Sequence, residues 1–452
     1  MTQQVSLPYQ WKARPHQEPL FQYMLNGGTM QNKRAVEVWH RRAGKDSCML
    51  QLGAISTQQR VGTYWHMLPT QRQARKVIWN GIDKFGRKMI DQAFPMAMRK
   101  STNNTEMTIE FLNGSIWQCV GSDSYDSLVG ANPVGVIFSE YSIADPTAWD
   151  FIRPILAENN GWAAFIYTAR GKNHGYHLYK MAENNDSWHS SLLTVDDTFD
   201  REGKHIIHPN VIEEERKSGM SEEKIQQEFY CSWDVGMEGA FYTAEINQAE
   251  AEGRIGVFPH DPTKPVSTWW DIGFRDATSI IFTQEGDNGK PVCINYLEYR
   301  NKGLPELIRE VRSLPYNYSH HNGPHDIEQH DFSTGKTRNE MAQSLGFHFD
   351  VVPKLSLEDG IDATRAMIQV CSFDKVHCAG LLSCLASYQR EWDEKAKIFR
   401  DKPLHNWASH GSDSMRYLSI GWDRAQLTST WTPEKVSMFR RKYKVKKAMG
   451  NK

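Results

Sequence analysis

A Gly-Lys pair near the start of the chain has the surroundings of a phosphate-binding loop. The segment VEVWHRRAGKDS, residues 36–47, joins a β-branched strand to a basic loop and the opening of a helix. In such loops, backbone N–H groups at the helix N-terminus cradle phosphates while the lysine reaches the β and γ oxygens. The residues predicted to bind nucleotide phosphates are Arg41, Arg42, Gly44, Lys45, Asp46 and Ser47.

Two positions depart from the usual loop pattern G-x-x-x-x-G-K-[ST]. The first glycine position is Trp39, and the position of the metal-binding hydroxyl is Asp46. A Gly-Lys pair can also open an ordinary helix, so the loop alone does not establish nucleotide hydrolysis.

A buried strand that ends in a carboxylate supplies a second half of the site. Residues 134–138, VGVIF, form a continuous apolar run that is followed by Ser139 and Glu140. ATP hydrolysis needs a carboxylate beside the phosphates that orients or deprotonates the attacking water. Glu140 is therefore the predicted catalytic carboxylate. The alternative is a buried strand that merely ends in a surface glutamate.

Three separated acidic segments in the second half of the chain could hold divalent cations. Asp271 follows an aromatic strand in WWDIG, Asp326 lies in GPHDIEQHD, and Asp413 lies in a predicted helix. Carboxylates that converge from separate segments can bind two hard cations, which activate water and stabilise the leaving oxygen of a phosphodiester. The sequence leaves open whether these three converge, because an aspartate after a strand often only caps a turn.

Histidines and cysteines give no comparable motif. Histidines crowd the same region without the spacing of a closed zinc module, at His320, His321, His325, His330, His405 and His410. The seven cysteines are scattered and form no C-x-x-C pair, which indicates neither a disulfide framework nor a cysteine zinc site.

The spacing of apolar runs predicts an α/β fold in two parts. In the first part, β-like runs alternate with helical stretches such as 71–85, which predicts a mainly parallel sheet. The predicted strands are 35–39, 62–67, 116–120, 134–138 and 163–168. In the second part, a strand meander precedes the helices. Its predicted strands are 266–273, 278–284 and 292–300, and the helices are 304–312, 338–345, 360–369 and 379–393.

These patterns divide the chain into four predicted segments. The first domain covers 1–195, a helical subdomain or linker covers 196–260, the second domain covers 261–424, and a basic tail covers 425–452. The tail, MFRRKYKVKKAMGNK from residue 438, is either a solvated end or a contact to DNA or to an acidic partner.

Composition is that of an ordinary globular protein, with 39% hydrophobic and 24% charged residues among 452. No apolar run approaches the ~18 residues of a membrane-spanning helix. The first residues, MTQQVSLPYQWK, lack an apolar signal core, so we expect a cytosolic protein. Because the net charge is −1, any attraction to polyanions must come from local patches.

Several motifs together resemble the large terminase subunit of tailed bacteriophages, an ATP-driven DNA-packaging motor. HRRAGKD resembles the phosphate loop of that family, and VIFSEY its acidic strand end. GWAAFIYTARGKNHGYHLY is similar to its coupling segment, with Thr168 and Arg170 in the centre, and RPHQ places Gln17 on the adenine base. WDIG, PHD and SHGSD-MRY resemble the three acidic motifs of its nuclease. The resemblance extends from about residue 8 to residue 422.

The resemblance implies a P-loop ATPase domain followed by an RNase H-like α/β nuclease domain. It nominates Asp271, Asp326 and Asp413 as ligands of two Mg²⁺ or Mn²⁺ ions, with Asp276 and Asp331 as nearby substitutes. It also implies ATP with Mg²⁺ in the first domain. The implied partners are double-stranded DNA, a small terminase subunit, the portal protein of a procapsid, and further copies of this chain in a ring. The implied location is the host cell cytoplasm.

One departure from the family pattern suggests an exchange of metal ligands. Ser139 stands where such ATPases usually carry a strand-ending aspartate, and Asp46 stands where the loop hydroxyl is usual. We hypothesise that carboxylate and hydroxyl have changed places around Mg²⁺.

Three other functions share part of these features. A DNA helicase or remodelling ATPase would use the first half but gives no reason for three acidic motifs after residue 265. An RNase H-like resolvase or recombinase leaves the phosphate loop unexplained. A DNA-binding capsid scaffold with decayed sites would tolerate Trp39 and Ser139.

Overall fold

A computed structural model describes residues 5–427, except 84, 129, 237, 274–276, 288, 330–334, 336 and 394–397. The chain forms two compact units, Met1–Met237 and Glu238–Lys452. The segment predicted as a separate linker, 196–260, is therefore divided between these units. Nearly all of the predicted basic tail lies outside the described residues.

The first unit is built on one eight-stranded sheet. Its strands are β1 (Arg34–Trp39), β2 (Thr63–Leu68), β3 (Arg99–Asn103), β4 (Thr108–Phe111), β5 (Ile116–Gly121), β6 (Pro133–Ser139), β7 (Trp162–Tyr167) and β8 (Trp188–Leu193). They lie in the order β3-β4-β5-β2-β6-β7-β1-β8. The six strands from β5 to β8 in this order are parallel, whereas β3 and β4 form an antiparallel edge. The mainly parallel sheet and its five predicted strands are confirmed.

Helices cover this sheet. They are α1 (Glu18–Leu25), α2 (Lys45–Gln59), α3 (Gln71–Gln73), α4 (Met89–Ala93), α5 (Thr147–Glu158), α6 (His174–Glu183), α7 (Pro209–Lys217) and α8 (Glu222–Glu228). The single helix predicted over 71–85 is wrong. Helix α3 continues into a π-helical segment, Ala74–Trp79, and the helical structure ends at Trp79. At Gly81 a Cβ atom would lie 2.0 Å from the carbonyl oxygen of Val77, so the chain turns where only glycine fits.

Strand β1 carries apolar residues on both faces and one buried carboxylate. Val36 and Val38 belong to the core on one face, while Ala35 and Trp39 belong to the core on the other. Glu37, between these residues, is fully buried. Removal from water raises the pKa of Glu37 to about 8, despite a hydrogen bond from the Ser191 hydroxyl.

The second unit contains a seven-stranded mixed sheet and a separate hairpin. Its strands are β9 (Ile255–Gly256), β10 (Val266–Asp271), β11 (Thr278–Glu285), β12 (Pro291–Tyr299), β13 (Tyr318–Gly323), β14 (Asp350–Val351), β15 (Ser372–Asp374), β16 (Arg390–Asp393) and β17 (Ile398–Pro403). The sheet order is β14-β13-β10-β11-β12-β15-β9, and β16 pairs with β17. The predicted meander is confirmed as antiparallel β10-β11-β12, and β13 runs parallel to β10. The strand order 3-2-1-4-5 from β12 to β14 agrees with the RNase H-like prediction.

The helices of the second unit are α9 (Thr243–Ala251), α10 (Leu304–Ser313), α11 (Arg338–Ser344), α12 (Leu357–Ile368), α13 (Ala379–Ser387) and α14 (Trp407–Leu427). The helix predicted over 379–393 is wrong in its second half. The run of buried residues ends with Ala386 and Tyr388. The more exposed segment that follows, REWD, forms β16 instead. No helix among the described residues is both long and apolar enough to span a membrane.

Candidate active sites

The loop between β1 and α2 has the backbone shape of a phosphate site. Gly44 caps α2 in the left-handed conformation, with φ of 86°. This backbone conformation favours glycine, and a Cβ atom here would lie 3.1 Å from Gln17 Nε2 and 3.2 Å from Arg14 Nη1, which are tight contacts. Arg42, two residues earlier, is exposed and also left-handed, with φ of 73°. The start of α2 therefore presents backbone N–H groups beside a basic loop.

Lys45 is buried and folds back onto its own loop. Its Nζ donates to the carbonyl oxygens of Trp39 at 2.9 Å and His40 at 3.2 Å. It also donates to the Thr168 hydroxyl at 3.1 Å, directly after β7. The lysine of the loop is thus joined to the first residue of the predicted coupling pair.

Gln17 supports the loop from outside. Its amide Nε2 donates to the carbonyl oxygens of Ala43 at 3.3 Å and Gly44 at 3.2 Å, while its Oε1 accepts from the backbone N–H of Arg14. Gln17 is buried, and its amide is occupied by these contacts. Contact with the adenine base stays a prediction for this residue.

Trp39, which occupies the first glycine position of the loop pattern, acts as a packing residue. Its indole N–H donates to the Ser191 hydroxyl at 2.7 Å, and its ring lies edge-on to His16. At the opposite end of the loop, the Ser47 hydroxyl accepts a hydrogen bond from the indole of Trp11 at 3.2 Å. The Trp39 side chain is therefore buried against its neighbours.

Asp46 and Ser139 are brought into direct contact. The Ser139 hydroxyl at the end of β6 donates to Asp46 Oδ1 at 2.6 Å. Burial alone would raise the pKa of Asp46, but His66 and this hydroxyl together hold it below its ordinary value. A carboxylate and a hydroxyl are hard oxygen donors of the kind that Mg²⁺ prefers. The two residues of the proposed exchange therefore form one donor group.

Glu140 follows this pair in a strained position. Its backbone is left-handed, with φ of 54° and ψ of 41°, a conformation that costs energy for a residue with a Cβ atom. Burial raises the pKa of its carboxyl group, and the nearby Lys45 ammonium offsets only part of this effect. A carboxylate with a raised pKa is a better proton acceptor near neutral pH.

Arg170 and Arg41 of the loop both contact Glu228, a residue that belongs to none of the sequence motifs. Arg170 Nη1 donates to Gln227 Oε1 at 2.9 Å and to the carboxylate of Glu228. The buried Glu228 side chain also lies 3.8 Å from Arg41 Nη1 and 3.6 Å from Lys224 Nζ. Burial would raise the pKa of Glu228, but Arg170 and the other cations lower it. Only its position before the apolar run FYCSW sets this glutamate apart in the sequence.

In the second unit, the three predicted aspartates come from elements that meet at one sheet edge. Asp271 ends β10, and Asp326 lies in the turn after β13. Because β10 and β13 are parallel neighbours, their carboxyl ends lie at the same edge. Asp413 lies on α14, which packs against both strands.

Electrostatic contacts connect the three side chains. Burial raises the pKa of Asp413 to about 7; Arg416, 3.0 Å away, opposes this shift, while the charge of Asp271 adds to it. The Tyr417 hydroxyl has a raised pKa because of its burial and the charges of Asp271, Asp413 and Asp326. The charges of all three carboxylates therefore act on the Tyr417 hydroxyl.

The fit of this donor set to metal ions is partial. Asp326 Oδ1 is buried and has no hydrogen-bond partner among the described residues, as expected of an oxygen that awaits a cation. Within the same residues, no three His, Cys, Asp or Glu side chains form a group that could hold a metal ion. Asp276 and Asp331, the predicted substitutes, lie outside the described residues.

His410 is a further residue of this site. It lies one turn before Asp413 on α14, and its Nδ1 is 3.9 Å from Asp271 Oδ2. Burial would lower the pKa of His410, but contact with Asp271 raises it. The crowding of histidines was visible in the sequence, whereas this particular pairing depends on the packing of α14 against β10.

Comparison with known proteins gives one clear sequence relative. No protein-family model matches the chain. The large terminase subunit of Escherichia phage T5 is 24% identical over 333 residues, which cover 70% of this chain and 71% of the T5 protein. The solved large terminase of bacteriophage HK97 is 12% identical with a TM-score of 0.43, covering 91% of this chain and 95% of its own. The nuclease domain of the P22 large terminase is 16% identical with a TM-score of 0.29, covering 37% and 88%. The sequence comparison confirms the resemblance drawn from the motifs, and this chain is a relative of the large subunits of phage terminases.

Proposed function

We propose that this chain is the catalytic subunit of a viral DNA-packaging motor. It hydrolyses ATP to move double-stranded DNA into a procapsid, and a nuclease in its second unit cuts concatemeric DNA into genome units. The observation that carries the proposal is the contact between Asp46 of the loop and Ser139 of β6, with Glu140 directly after it. This contact joins the phosphate loop to the catalytic carboxylate.

In the ATPase unit, each residue has a distinct task. ATP phosphates bind at the N-terminus of α2, where Lys45 exchanges its carbonyl partners for phosphate oxygens. Asp46 and Ser139 would hold Mg²⁺, which neutralises charge on the β- and γ-phosphates when bound. Glu140 orients and deprotonates the attacking water, a role that its raised pKa favours.

The segment after β7 couples hydrolysis to movement. Thr168 contacts Lys45, and Arg170 contacts Glu228, which also lies near Arg41 of the loop. A change at the γ-phosphate would alter the partners of Lys45 and Arg41, and so the position of this segment. DNA would then be drawn by its backbone, independently of sequence.

In the nuclease unit, Asp271, Asp326 and Asp413 would hold two Mg²⁺ or Mn²⁺ ions, which activate water and stabilise the leaving oxygen when bound. His410 orients Asp271, and Arg416 limits the charge of the carboxylate cluster through Asp413. Burial of Asp413, and to a lesser extent the charge of Asp271, raises the pKa of its carboxyl group.

The proposed partners follow from the resemblance. They are double-stranded DNA, a small terminase subunit that recognises it, the portal protein of the procapsid, and further copies of this chain in a ring. The subunit would act in the host cytoplasm and dock on the portal only during packaging.

Three assays on the full chain test the proposal: ATP turnover with and without DNA, packaging into procapsids, and plasmid cleavage in Mn²⁺. We expect Lys45→Ala and Glu140→Ala to abolish turnover and packaging while plasmid cleavage persists. Lys100→Ala, which removes an exposed lysine of β3, is the matched control and should leave all three unchanged. Strand separation in place of packaging would instead indicate a helicase.

The middle carboxylate of the nuclease is tested by comparison. Asp326→Ala should abolish plasmid cleavage and preserve ATP turnover. Normal cleavage by Asp326→Ala, together with its loss in Asp331→Ala, would show that the assignment of Asp326 is wrong.

A further inference from the structure

A buried histidine lies beneath the phosphate loop and has no role in the motifs. His66 is on β2, next to β6 in the sheet, and is completely buried. Its Nε2 lies 3.5 Å from Asp46 Oδ1, the oxygen that also accepts from Ser139. Neither ring nitrogen has a hydrogen-bond partner among the described residues. The ring thus directs its polar edge at the carboxylate, at the outer limit of hydrogen-bond distance.

An ordinary phosphate loop has no need for such a neighbour. There, the residue after the lysine is Ser or Thr, which carries a small neutral hydroxyl group. In this chain the same position is a carboxylate whose side chain is only 23% exposed, so it needs polar partners. The N-terminus of α2 supplies part of that support, since negative charge is stabilised at a helix start. Ser139 supplies one hydrogen bond to Oδ1.

We propose that His66 is a positioning residue for Asp46, which holds the carboxylate in the orientation that binds the divalent cation of ATP. This role rests on the proposed ATP site. It adds His66, as a supporting residue, to the proposed metal ligands Asp46 and Ser139. Ser139 donates a hydrogen bond to Oδ1, and His66 Nε2 lies 3.5 Å from the same oxygen. The Asp46 side chain is 23% exposed, which leaves part of it accessible to solvent. Residues that orient metal ligands in this way typically change metal affinity about 10- to 100-fold when they are lost.

A purely structural role is the competing explanation. The His66 ring packs edge-on to Trp117 at 6.1 Å, within the core beneath α2. His66→Phe keeps a ring of similar size against Trp117 but removes both nitrogens, so it separates packing from the contact with Asp46. His66→Gln keeps a hydrogen-bonding amide and serves as the conservative variant.

The test measures cation binding without turnover. Binding of a fluorescent ADP analogue to the full chain is followed in EDTA and during Mg²⁺ titration. We expect His66→Phe to leave affinity in EDTA unchanged and to raise the Mg²⁺ concentration at half-saturation about 10-fold or more. His66→Gln should restore most of the Mg²⁺ response. An unchanged Mg²⁺ response in His66→Phe would overturn the proposal.

The same substitution in an Asp46→Ser variant distinguishes a role in positioning Asp46 from a role in packing the core. Asp46→Ser restores the usual hydroxyl and removes the carboxylate that His66 is proposed to hold. In that background, His66→Phe should have no further effect on the Mg²⁺ response, although its effect on thermal stability should persist. Equal losses of Mg²⁺ affinity in both backgrounds would assign His66 to the core alone. If the unsubstituted chain fails to bind the ADP analogue at all, the proposed ATP site itself is refuted.

Discussion

Replacement of Glu37 by glutamine should make the first unit more stable in alkaline solution. Glu37 lies in the middle of β1, fully buried, and accepts a hydrogen bond from Ser191. Its other oxygen lies 3.3 Å from His189 Nε2. Glutamine has nearly the same shape and can keep both contacts, but it carries no ionisable proton. The substitution therefore removes the burial of a charge with little change in packing.

The expected magnitude follows from the pKa of this carboxyl group. Burial raises it from 4.5 to about 8, so the folded chain retains a proton that the unfolded chain releases. The stabilisation from this proton is complete below pH 4.5 and is lost as pH rises towards 8. Each tenfold difference in proton affinity corresponds to about 1.4 kcal/mol, which sets a ceiling of roughly 5 kcal/mol above pH 8. For a unit of this size, that ceiling corresponds to roughly 10–20 °C in Tm.

Thermal unfolding of the full chain between pH 5 and pH 9 measures this effect. The difference in Tm between Glu37→Gln and the unsubstituted chain should be small at pH 5 and should grow steadily up to pH 8. Taking the difference removes the contributions of other titrating groups. Glu110→Gln is the matched control, because Glu110 is on β4 of the same sheet but pairs with Lys100 at the surface. A Tm difference that does not vary with pH would refute the reasoning.

Four further predictions concern the two sites. As pH is lowered, ATP turnover should fall at a higher pH than it would with an exposed glutamate, because burial raises the pKa of Glu140; a pH profile of kcat measures this. Glu140→Gln should abolish turnover without abolishing nucleotide binding. Gly44→Ala should weaken ADP binding and lower the Tm, because its left-handed backbone costs about 1–2 kcal/mol with a Cβ atom; calorimetry measures the affinity. Glu228→Gln should loosen Arg170 and reduce DNA-stimulated turnover more than basal turnover, as a coupled assay would reveal. Asp413→Asn should reduce plasmid cleavage at least 100-fold with unaltered ATP turnover; cleavage at the normal rate would remove Asp413 from the nuclease.

Sequence patterns predicted the elements whose burial is continuous. Strands β1, β2, β5, β6 and β7 are mostly apolar and largely buried, and their ends agree with the predicted runs to within one or two residues. The edge strands were missed because they lack such a pattern. Strand β3, RKSTN, is almost wholly exposed, and β8, WHSSLL, is only partly buried along its length. Pairing with a neighbour, which no local pattern reveals, makes these segments strands.

The residues of the candidate sites also fall into two groups: those that a sequence motif marks and those that only the packing of separate elements brings together. Gly44, Lys45 and Glu140 could be selected from the sequence because each follows a strand or opens a helix in a known arrangement. Glu228 and His66 could not, since each acquires its neighbours only through the packing of separate elements. In the second unit, β13 was missed because YSHHNG is polar. The sequence therefore suggested Asp326 without the strand that delivers it.

The three hydrogen bonds of the Lys45 ammonium have a consequence for how tightly nucleotide is held. A lysine ammonium without hydrogen-bond partners would bind small anions such as inorganic phosphate readily. In this chain, the Lys45 ammonium already donates hydrogen bonds to three neutral oxygens. An incoming ligand must outcompete those oxygens, which a single phosphate does poorly and a chain of phosphates does well. We therefore expect the loop to discriminate against single phosphate ions and to favour polyphosphates.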